Sequence, residues 1–396
     1  MDFHYTPEQD AFRTELRAWL NAKLPPELCV DDAKDERIAP DRETFERRRV
    51  WQRQMYDAGW VGIAWPQEYG GRGATLMEQV IFEEEYTRAR APVLPGNSGI
   101  SLCGPTLMQW GSQEQKERFL RRTLSGELIW CQGYSEPGAG SDLASLQTRA
   151  VDMGDHFVVN GQKVWTSGAQ YADWIFMLVR TDPDAPKHRG ISYILADMTT
   201  PGITVRPLVL LNGHAHFNEV FFEDVKVPKT NLVGHKNEGW KVTVTTLMYE
   251  RAYAGVSNYD DQIMRLVALA KQVPIDGKPA WQQAWVRQRL VRLKTESESL
   301  KYTRLRGITR MLKGQPPGPE GSMLKLCGSE LGVRIAQFAT ELLGVHTTVN
   351  QPSDVVSDAP RWFNRMLSAR QYTISAGTSE IQRNIMGERV LGLPKG

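Results

Sequence analysis

Residues 134–142 read YSEPGAGSD, and they mark the point at which the chain changes from helical to β-type patterns. Glycine allows backbone N–H groups to approach a bulky anion such as a pyrophosphate, and serine hydroxyls add further donors. The same composition is typical of a plain β-turn, because Gly, Pro, Asp and Ser dominate turns generally. Taken alone, the segment is equally compatible with an anion-binding loop and with an ordinary turn.

Short β-type runs follow this segment, with Gly, Pro and Asp between them. They cover residues 157–159, 163–165, 174–179, 191–195, 203–210 and 220–227. Asn160-Gly161 lies between the first two runs, and Asn-Gly in that position predicts a β-hairpin. Closely spaced strands of this kind predict a small sandwich or barrel.

Helical patterns lie on both sides of the β region. Thr6 and Pro7 predict a helix start, with Thr6 as the N-cap and Pro7 in the first helical position. Apolar residues at helical spacing then predict helices in the first third of the chain, including residues 76–88 and 114–124. After Gly239 the helical period returns in long segments with short connections, which predict a bundle. These segments cover about 240–272, 280–313, 320–345 and 377–392.

The order of these patterns predicts an α+β multidomain protein. We expect an N-terminal helical domain over residues 1–125, a middle β-barrel or β-sandwich domain over 126–237 and a C-terminal helical bundle over 238–396. The chain length also favours two or three domains.

Composition and charge argue against several classes of protein. The chain has 48 Lys and Arg against 46 Asp and Glu, and this balance gives no support for a nucleic-acid partner. There is neither a secretory signal pattern at the start nor an apolar run of membrane-spanning length, so we expect a cytoplasmic protein without membrane insertion. The cysteines are scattered without a C-x-x-C pair, which indicates reduced thiols; they are Cys29, Cys103, Cys131 and Cys327.

Histidine gives no sign of a metal centre. His214 and His216 lie two residues apart in a turn-like stretch, and no third ligand is close in the sequence. A catalytic zinc ion usually needs three protein ligands. We therefore predict no metal site.

Two more motifs have a composition suited to ligand binding. Residues 160–168, NGQKVWTSG, place an aromatic before two hydroxyls, which could cover a planar ring and hydrogen-bond its edge. A Trp in a strand more often packs in the core, so this motif alone does not distinguish ligand binding from core packing. Residues 375–383, SAGTSEIQR, place Thr378 or Ser379 where either would cap a helix. An ordinary helix cap has the same sequence pattern, so this motif alone does not indicate ligand binding.

In this order and at these separations, the motifs resemble those of the acyl-CoA dehydrogenase family over essentially the whole chain. The matching pieces are W-P-x-E-Y-G-G at 65–71, S-E-P-G-A-G-S-D at 135–142, N-G-Q-K-x-W at 160–165, N-L-V-G at 231–234 and G-T-S-E-I-Q-R at 377–383. The resemblance implies the family fold, in which the C-terminal domain is a four-helix bundle. It also implies FAD as cofactor, an acyl-CoA thioester as substrate and electron-transfer flavoprotein as electron acceptor.

The resemblance also implies roles for individual residues. Ser135 would lie against the flavin ring, Trp165 would cover one face of the ring and Ser167 would reach its N5 edge. Ser141 would bind both the flavin pyrophosphate and the pantetheine arm of the substrate. Tyr253 would also contact the substrate. The full set of expected cofactor contacts is Gln132, Tyr134, Ser135, Gly140, Ser141, Trp165, Ser167, Thr378 and Glu380.

The catalytic base is where this chain departs from the commonest family pattern. Many members place a glutamate immediately before G-T-S, where this chain has Ala376, whose backbone N–H could still donate to the thioester carbonyl. A minority branch takes its base from a Glu-Arg pair on the first bundle helix, and Glu250-Arg251 matches that pair. Removal of an α proton needs a carboxylate whose pKa is raised by burial, although a helical glutamate is more often exposed. The resemblance implies Glu250 as the base, with Arg251 beside it.

Two departures concern the part of the FAD site that an adjacent subunit completes. The R-x-x-F-G segment of many relatives is missing between residues 270 and 285, and the family's L-G-G reads Leu343-Gly344-Val345. A homotetramer and a heterotetramer therefore both remain open. The Glu-Arg pair and the S-A-G-T ending also resemble bacterial branches that act on bulky, branched or dicarboxylic acyl groups, including steroid side chains.

Two alternative functions are compatible with the same motifs. One is a flavin oxidase or monooxygenase of the same fold, which would use oxygen. The other is a non-catalytic subunit of a heteromeric dehydrogenase. The presence of Ser135, Trp165, Ser167 and Glu250 argues against the second alternative.

Overall fold

The computed structural model describes residues 5–30, 38–254, 259–315, 318, 320–348 and 358–394, with the side chains of 251–254 outside the description. The described chain divides into two compact units, the first ending at Tyr249 and the second beginning at Glu250.

Five α-helices open the first unit, and their starts follow local capping rules. They are α1 (Pro7–Lys23), α2 (Arg42–Asp57), α3 (Leu76–Arg88), α4 (Gly104–Trp110) and α5 (Gln113–Leu124). The predicted cap at Thr6 is confirmed, because its hydroxyl accepts the Gln9 N–H while the Gln9 side chain accepts the Thr6 N–H. The same reciprocal box begins α3 at Thr75 and α5 at Ser112.

Eight strands of the first unit form one mixed sheet. They are β1 (Trp130–Gly133), β2 (Arg149–Asp152), β3 (His156–Lys163), β4 (Trp174–Arg180), β5 (Ile191–Asp197), β6 (Ile203–Leu208), β7 (Phe217–Pro228) and β8 (Leu232–Val233). The strand order is β6-β7-β3-β2-β4-β5-β8, and β1 also pairs with β4. β1 and β2 run parallel to β4, whereas the other pairs are antiparallel.

The hairpin predicted at Asn160-Gly161 is wrong. Both residues lie inside β3, which continues through them and pairs with β7, with a register shift between Val159 and Gly161. Gly161 takes a φ of 148°, and a Cβ there would come within 2.7 Å of the Thr148 backbone. Asn160 exchanges hydrogen bonds with Asp224 on β7. The glycine therefore serves a bulge and a close strand approach, the other common use of Gly in a strand.

An aromatic cluster joins the helices to the sheet. The Phe119 ring on α5 packs edge-on against Trp130 at 5.2 Å and against Trp174 at 4.9 Å between ring centroids. All three side chains are buried. Because Trp130 opens β1, this packing fixes the strand that leads into residue 134.

The division between the units falls inside α6 (Gly239–Ala254). The second unit continues with α7 (Tyr259–Gln272), the short strands β9 (Pro274–Ile275) and β10 (Lys278–Pro279), α8 (Ala284–Leu312), α9 (Glu320–Leu343), α10 (Ala359–Ala369) and α11 (Ser379–Ile385). α7, α8, α9 and α10 share one apolar core, which includes Leu266, Leu290, Phe338 and Trp362. The predicted C-terminal helical domain is confirmed. α6 and α7 cover the described part of the helical segment expected over about 240–272, and residues 255–258 lie outside the description.

Three expectations from composition can be compared with the described residues. No helix in the described ranges is both long and apolar enough to cross a membrane. His, Cys, Asp and Glu side chains in those ranges form no group of three that could hold a metal ion. The four cysteines are all free thiols, Cys103 and Cys131 being buried and Cys29 and Cys327 exposed.

Candidate functional site

Two of the three predicted motifs lie side by side in the first unit. The Val164 N–H, just after β3, donates to the Ser135 carbonyl at 2.9 Å. The adjacent Lys163 ammonium donates to the Tyr134 carbonyl at 3.2 Å and to the Glu136 carboxylate at 2.7 Å. We call residues 134–142 the glycine loop. The end of β3 is thus bonded directly to the first three residues of this loop.

Glu136 and Lys163 form a buried ion pair, with side chains 6% and 0% exposed. The Glu136 carboxylate also accepts the N–H groups of Gln147, at 2.6 Å, and Thr148, at 2.9 Å. Burial opposes ionisation of Glu136, but the Lys163 charge and these donors outweigh it and hold the pKa of the carboxyl below its ordinary value. Burial lowers the pKa of Lys163 to about 8, against the attraction of Glu136. Each group of the pair thus favours the charged form of the other.

The glycines of the loop face open space. Glu136 and Ala139 exchange two backbone hydrogen bonds of 3.0 Å, which close a tight turn. A Cβ added at Gly138 or Gly140 would meet no atom within 4 Å, and Ser141 is exposed. The backbone here is thus accessible to a ligand, as an anion-binding loop requires.

Trp165 does not pack in the core. Its side chain is 56% exposed, and its backbone takes a left-handed φ of 60°. Such a conformation is rare for a bulky residue and persists only where neighbouring structure imposes it. Here Thr166 exchanges backbone hydrogen bonds of 3.0 and 3.1 Å with Asn218, and the Gly168 N–H donates to the His216 carbonyl at 2.9 Å. These bonds on β7 and the loop before it fix the segment that holds the indole outward.

Several buried polar atoms in this region lack hydrogen-bond partners among the described residues, and two of them belong to the predicted motifs or their neighbours. These two are Nε2 of Gln132, on β1, and Oγ1 of Thr166, next to Trp165. A buried polar group without a partner is costly, so such atoms commonly mark a ligand site. A flavin fits this arrangement, because it offers ring nitrogens and carbonyls for hydrogen bonding and a planar face for an exposed indole.

The third motif forms a strained turn in the second unit. We call residues 375–378 the Ala376 turn. Ala376 has a φ of 53° and Gly377 a φ of 88°. Thr378 rather than Ser379 caps α11, because its hydroxyl accepts the Ile381 N–H at 3.2 Å. A residue with a Cβ would be strained at the φ of Gly377 and would come within 2.7 Å of the Gln382 amide, so this position favours glycine.

The remaining predicted residues are placed individually. Glu250 lies near the end of α6 and is half-buried. Arg251 and Tyr253 follow it, and their side chains lie outside the described residues. Glu380 is exposed on α11, where its own N–H and the Thr378 hydroxyl hold the pKa of its carboxyl below the ordinary value. Ser167 is half-buried next to Trp165.

Models of the N-terminal, middle and C-terminal domains of acyl-CoA dehydrogenase match residues 6–127, 131–225 and 237–391. The chain is 38% identical to acyl-CoA dehydrogenase IpdE1 of Mycobacterium tuberculosis, over 98% of both proteins. It is 35% identical to acyl-CoA dehydrogenase FadE26 of the same organism, over 100% of this chain and 99% of that one. The chain belongs to the acyl-CoA dehydrogenase family.

Solved structures of this acyl-CoA dehydrogenase family have the same fold. The Tcur3481-Tcur3483 steroid ACAD matches with a TM-score of 0.85 at 32% identity, and 100% of each chain is covered. The ChsE4-ChsE5 complex from Mycobacterium tuberculosis matches with a TM-score of 0.82 at 35% identity, also over 100% of each chain. The expected order of helical, sheet and helical domains is confirmed. The protein is an oxidoreductase of a family whose general reaction is flavin-dependent dehydrogenation.

Sequence reasoning missed the two buried lysines that hold these motifs. The burial of Lys163 could have been inferred from the sequence, because it lies an even number of residues after Phe157 and Val159, which face the core from the same strand. Lys325, on α9, is 4% exposed and donates to the Gly377 carbonyl at 2.5 Å. Its neighbours Leu324 and Leu326 place it in an apolar stretch, the only local sign of burial.

Proposed function

We propose that this acyl-CoA dehydrogenase converts an acyl-CoA thioester to the trans-2-enoyl-CoA, with Glu250 as the base that removes the α proton. The observation that carries this proposal is the residue immediately before the G-T-S motif. Ala376 has no carboxylate, and its left-handed backbone belongs to a tightly held turn. The base must therefore come from elsewhere, and Glu250 is a half-buried carboxylate in the Glu-Arg pair that a branch of the family uses.

FAD, when bound, accepts the β hydrogen as a hydride at its N5 atom. Trp165 would cover one face of its ring, and Gln132, Ser135 and Ser167 would hold the ring edge. Gly140 and Ser141 would serve the pyrophosphate, and Tyr134, Thr378 and Glu380 complete the proposed contacts. The exposed indole, the open glycines and the unpartnered atom of Gln132 support this assignment.

The backbone N–H of Ala376 would donate to the thioester carbonyl. Loss of the α proton moves negative charge onto that oxygen, so a fixed donor is worth more as the reaction proceeds than in the bound substrate. Arg251 and Tyr253 are proposed neighbours of the base and the substrate. Their positions one and three residues after Glu250 in the sequence support this assignment.

We propose a bulky acyl group, such as a shortened steroid side chain, as the substrate. The match with a structure named as a steroid ACAD supports this class. We also propose that the chain assembles with a related subunit into a heterotetramer, with electron-transfer flavoprotein as the acceptor. Two of the matching structures are named as pairs of chains, and this chain lacks the R-x-x-F-G segment.

Glu250→Gln tests the proposed base, because the substitution is nearly isosteric and removes the carboxylate. Flavin reduction by the acyl-CoA that works best with the wild type should slow by about a hundredfold or more, the usual scale of general-base effects. FAD content should be unchanged. Glu341→Gln, an exposed carboxylate on α9, is the matched control and should keep the wild-type rate. Unchanged reduction in Glu250→Gln would eliminate the assignment.

The oxidase alternative is tested in the same preparation. After anaerobic reduction, the flavin of a dehydrogenase should reoxidise slowly in air and rapidly with electron-transfer flavoprotein. Rapid reoxidation by oxygen alone would favour the oxidase.

A further inference from the structure

In the Ala376 turn, backbone N–H groups are available to a ligand, whereas the backbone carbonyls are already hydrogen-bonded within the protein. Lys325 donates to the Gly377 carbonyl at 2.5 Å, and the Gln382 amide donates to the Ala376 carbonyl at 3.2 Å. Within the described part of the chain, the N–H groups of Ala376 and Gly377 have no acceptor. The carbonyls of Ala376 and Gly377 are thus bonded inside the protein, while the N–H groups of the same two residues remain available.

The side chains that hold this turn are buried. Lys325 is 4% exposed and Gln382 is 1% exposed. The left-handed conformation of Ala376 is unfavourable for a residue with a Cβ, so it needs contacts of this kind to persist. Lys325 comes from α9 and Gln382 from α11, so the turn is held by two separate helices of the same unit.

Lys325 differs from an ordinary buried lysine in its charge balance. Among the described residues it has no carboxylate at ion-pair distance; Glu380 and Glu330 attract it only over a longer range. Burial lowers the pKa of Lys325, and those two carboxylates oppose the shift. The ammonium instead bonds to a peptide carbonyl, which adds positive potential to the turn that carries the free N–H groups.

We infer that Lys325 is a positioning residue for dehydrogenation: it holds the Gly377 carbonyl so that the Ala376 N–H is presented to the thioester carbonyl. Gln382 supports the same geometry through the Ala376 carbonyl. The inference rests on the proposed function, since it takes the Ala376 N–H as the donor to the substrate. Lys325 itself need not touch substrate or cofactor.

The structural part of this inference is tested first, by crystal structures of Lys325→Met and of the wild type. Methionine keeps most of the apolar length of the side chain and removes the ammonium. Ala376 should leave the left-handed region, or its N–H should turn away by a peptide rotation. An Ala376 turn with the wild-type backbone in Lys325→Met would overturn the inference, whatever substrate the enzyme uses.

The catalytic part is tested by separating kcat from KM with the acyl-CoA that reduces the wild-type flavin fastest. Loss of one such donor outright costs on the order of 10²–10³ in kcat, so misplacing it should cost at least about tenfold. KM should change less than kcat, because the donor acts mainly as charge develops on the substrate oxygen. FAD content should stay at the wild-type level. An unchanged kcat would contradict the inference even if the backbone moved.

Two more variants keep the test decisive. Glu341→Gln is the matched control, because Glu341 lies on the same helix but is exposed and pairs with Arg289 on α8. It should leave kcat and the turn unchanged.

If Lys325→Met fails to fold, Gln382→Met removes the other bond to the turn and should lower kcat more than it changes KM. A wild-type kcat in Gln382→Met would overturn the inference. If no acyl-CoA reduces the wild-type flavin, the proposed function fails, while the crystal structures still decide the positioning role.

Discussion

The glycine loop of the first unit and the Ala376 turn of the second unit are both held by a buried lysine, but the two lysines are balanced differently. Lys163 bonds to a backbone carbonyl and to the Glu136 carboxylate, so its anchor is neutral overall. Lys325 bonds to a backbone carbonyl alone. A balanced pair stabilises a loop independently of any ligand. A cation without a bonded carboxylate also raises the local potential, which favours negative charge that develops nearby.

The comparison suggests a division of roles. The first anchor holds a loop that is expected to bind a resident cofactor, which stays through every catalytic cycle. The second holds a turn that is expected to act on a transient oxyanion. Substitutions in the first should therefore affect folding most, and substitutions in the second should affect catalysis most.

The largest effect on stability is expected for Glu136→Gln. The variant leaves the Lys163 ammonium buried without its counterion, and breaking one side of a buried pair typically costs about 3–5 kcal/mol. Thermal and denaturant unfolding would measure the loss. Asp57→Asn is the control, because Asp57 pairs with Arg53 on the surface and its loss should cost less than about 1 kcal/mol. Equal losses in the two variants would show that the buried pair is not a structural anchor.

The same pair should contribute to stability in a pH-dependent way. The pKa of Glu136 is held below its ordinary value of 4.5, so the folded state binds a proton less readily than the unfolded state. Its contribution is complete above about pH 4.5 and is lost as the pH falls through the folded-state pKa. Unfolding free energy measured from pH 7 into this acid range should fall more steeply in the wild type than in Glu136→Gln. Parallel curves would contradict the assigned shift.

A smaller loss of stability is expected for Lys325→Met than for Glu136→Gln. The substitution leaves one carbonyl without its donor, and a hydrogen bond to a charged group typically contributes about 1.5–3 kcal/mol. The two variants can be ranked by their unfolding midpoints under identical conditions. A larger shift for Lys325→Met would reverse the proposed division between a structural and a catalytic lysine.

The smallest effect on stability is expected for Trp165→Ala. The indole is 56% exposed and packs edge-on against Phe217, so its loss should cost the folded protein only about 1 kcal/mol when FAD is absent. FAD binding should weaken clearly, because the variant removes the proposed cover of the ring. Fluorescence titration with FAD measures this difference, and Trp285→Ala, another exposed tryptophan, is the control. Unchanged FAD affinity would remove Trp165 from the cofactor site.

Local signals in the sequence predicted much of the fold. The cap at Thr6 and the bounds of α3 depend on residues close in the chain, so a pattern could find them. Asn160-Gly161 was misread because pairing with β7, more than fifty residues away, decides what that glycine does. The sequence could not show which lysines are buried, since Lys325 is held by a carbonyl 52 residues further on.

The sequence identified the residues of the candidate site better than it predicted their conformations. The motifs identified the glycine loop, Trp165 and the start of α11 as ligand-binding candidates, and the structure joins the first two through the bond from Val164 to Ser135. The left-handed backbones of Trp165 and Ala376 could not be read from their residue types, because neither Trp nor Ala favours that conformation.

The most direct test of the proposed function is anaerobic titration of the purified flavin-containing protein, alone or with a co-expressed relative, with a panel of CoA thioesters. Butyryl-CoA, isobutyryl-CoA and the CoA thioester of a shortened steroid side chain cover the proposed range. The visible flavin absorbance should bleach in the wild type, most rapidly with the bulky thioester, and should persist over the same time in Glu250→Gln. A wild-type flavin that no thioester bleaches, or a Glu250→Gln flavin that bleaches at the wild-type rate, would contradict the proposed function.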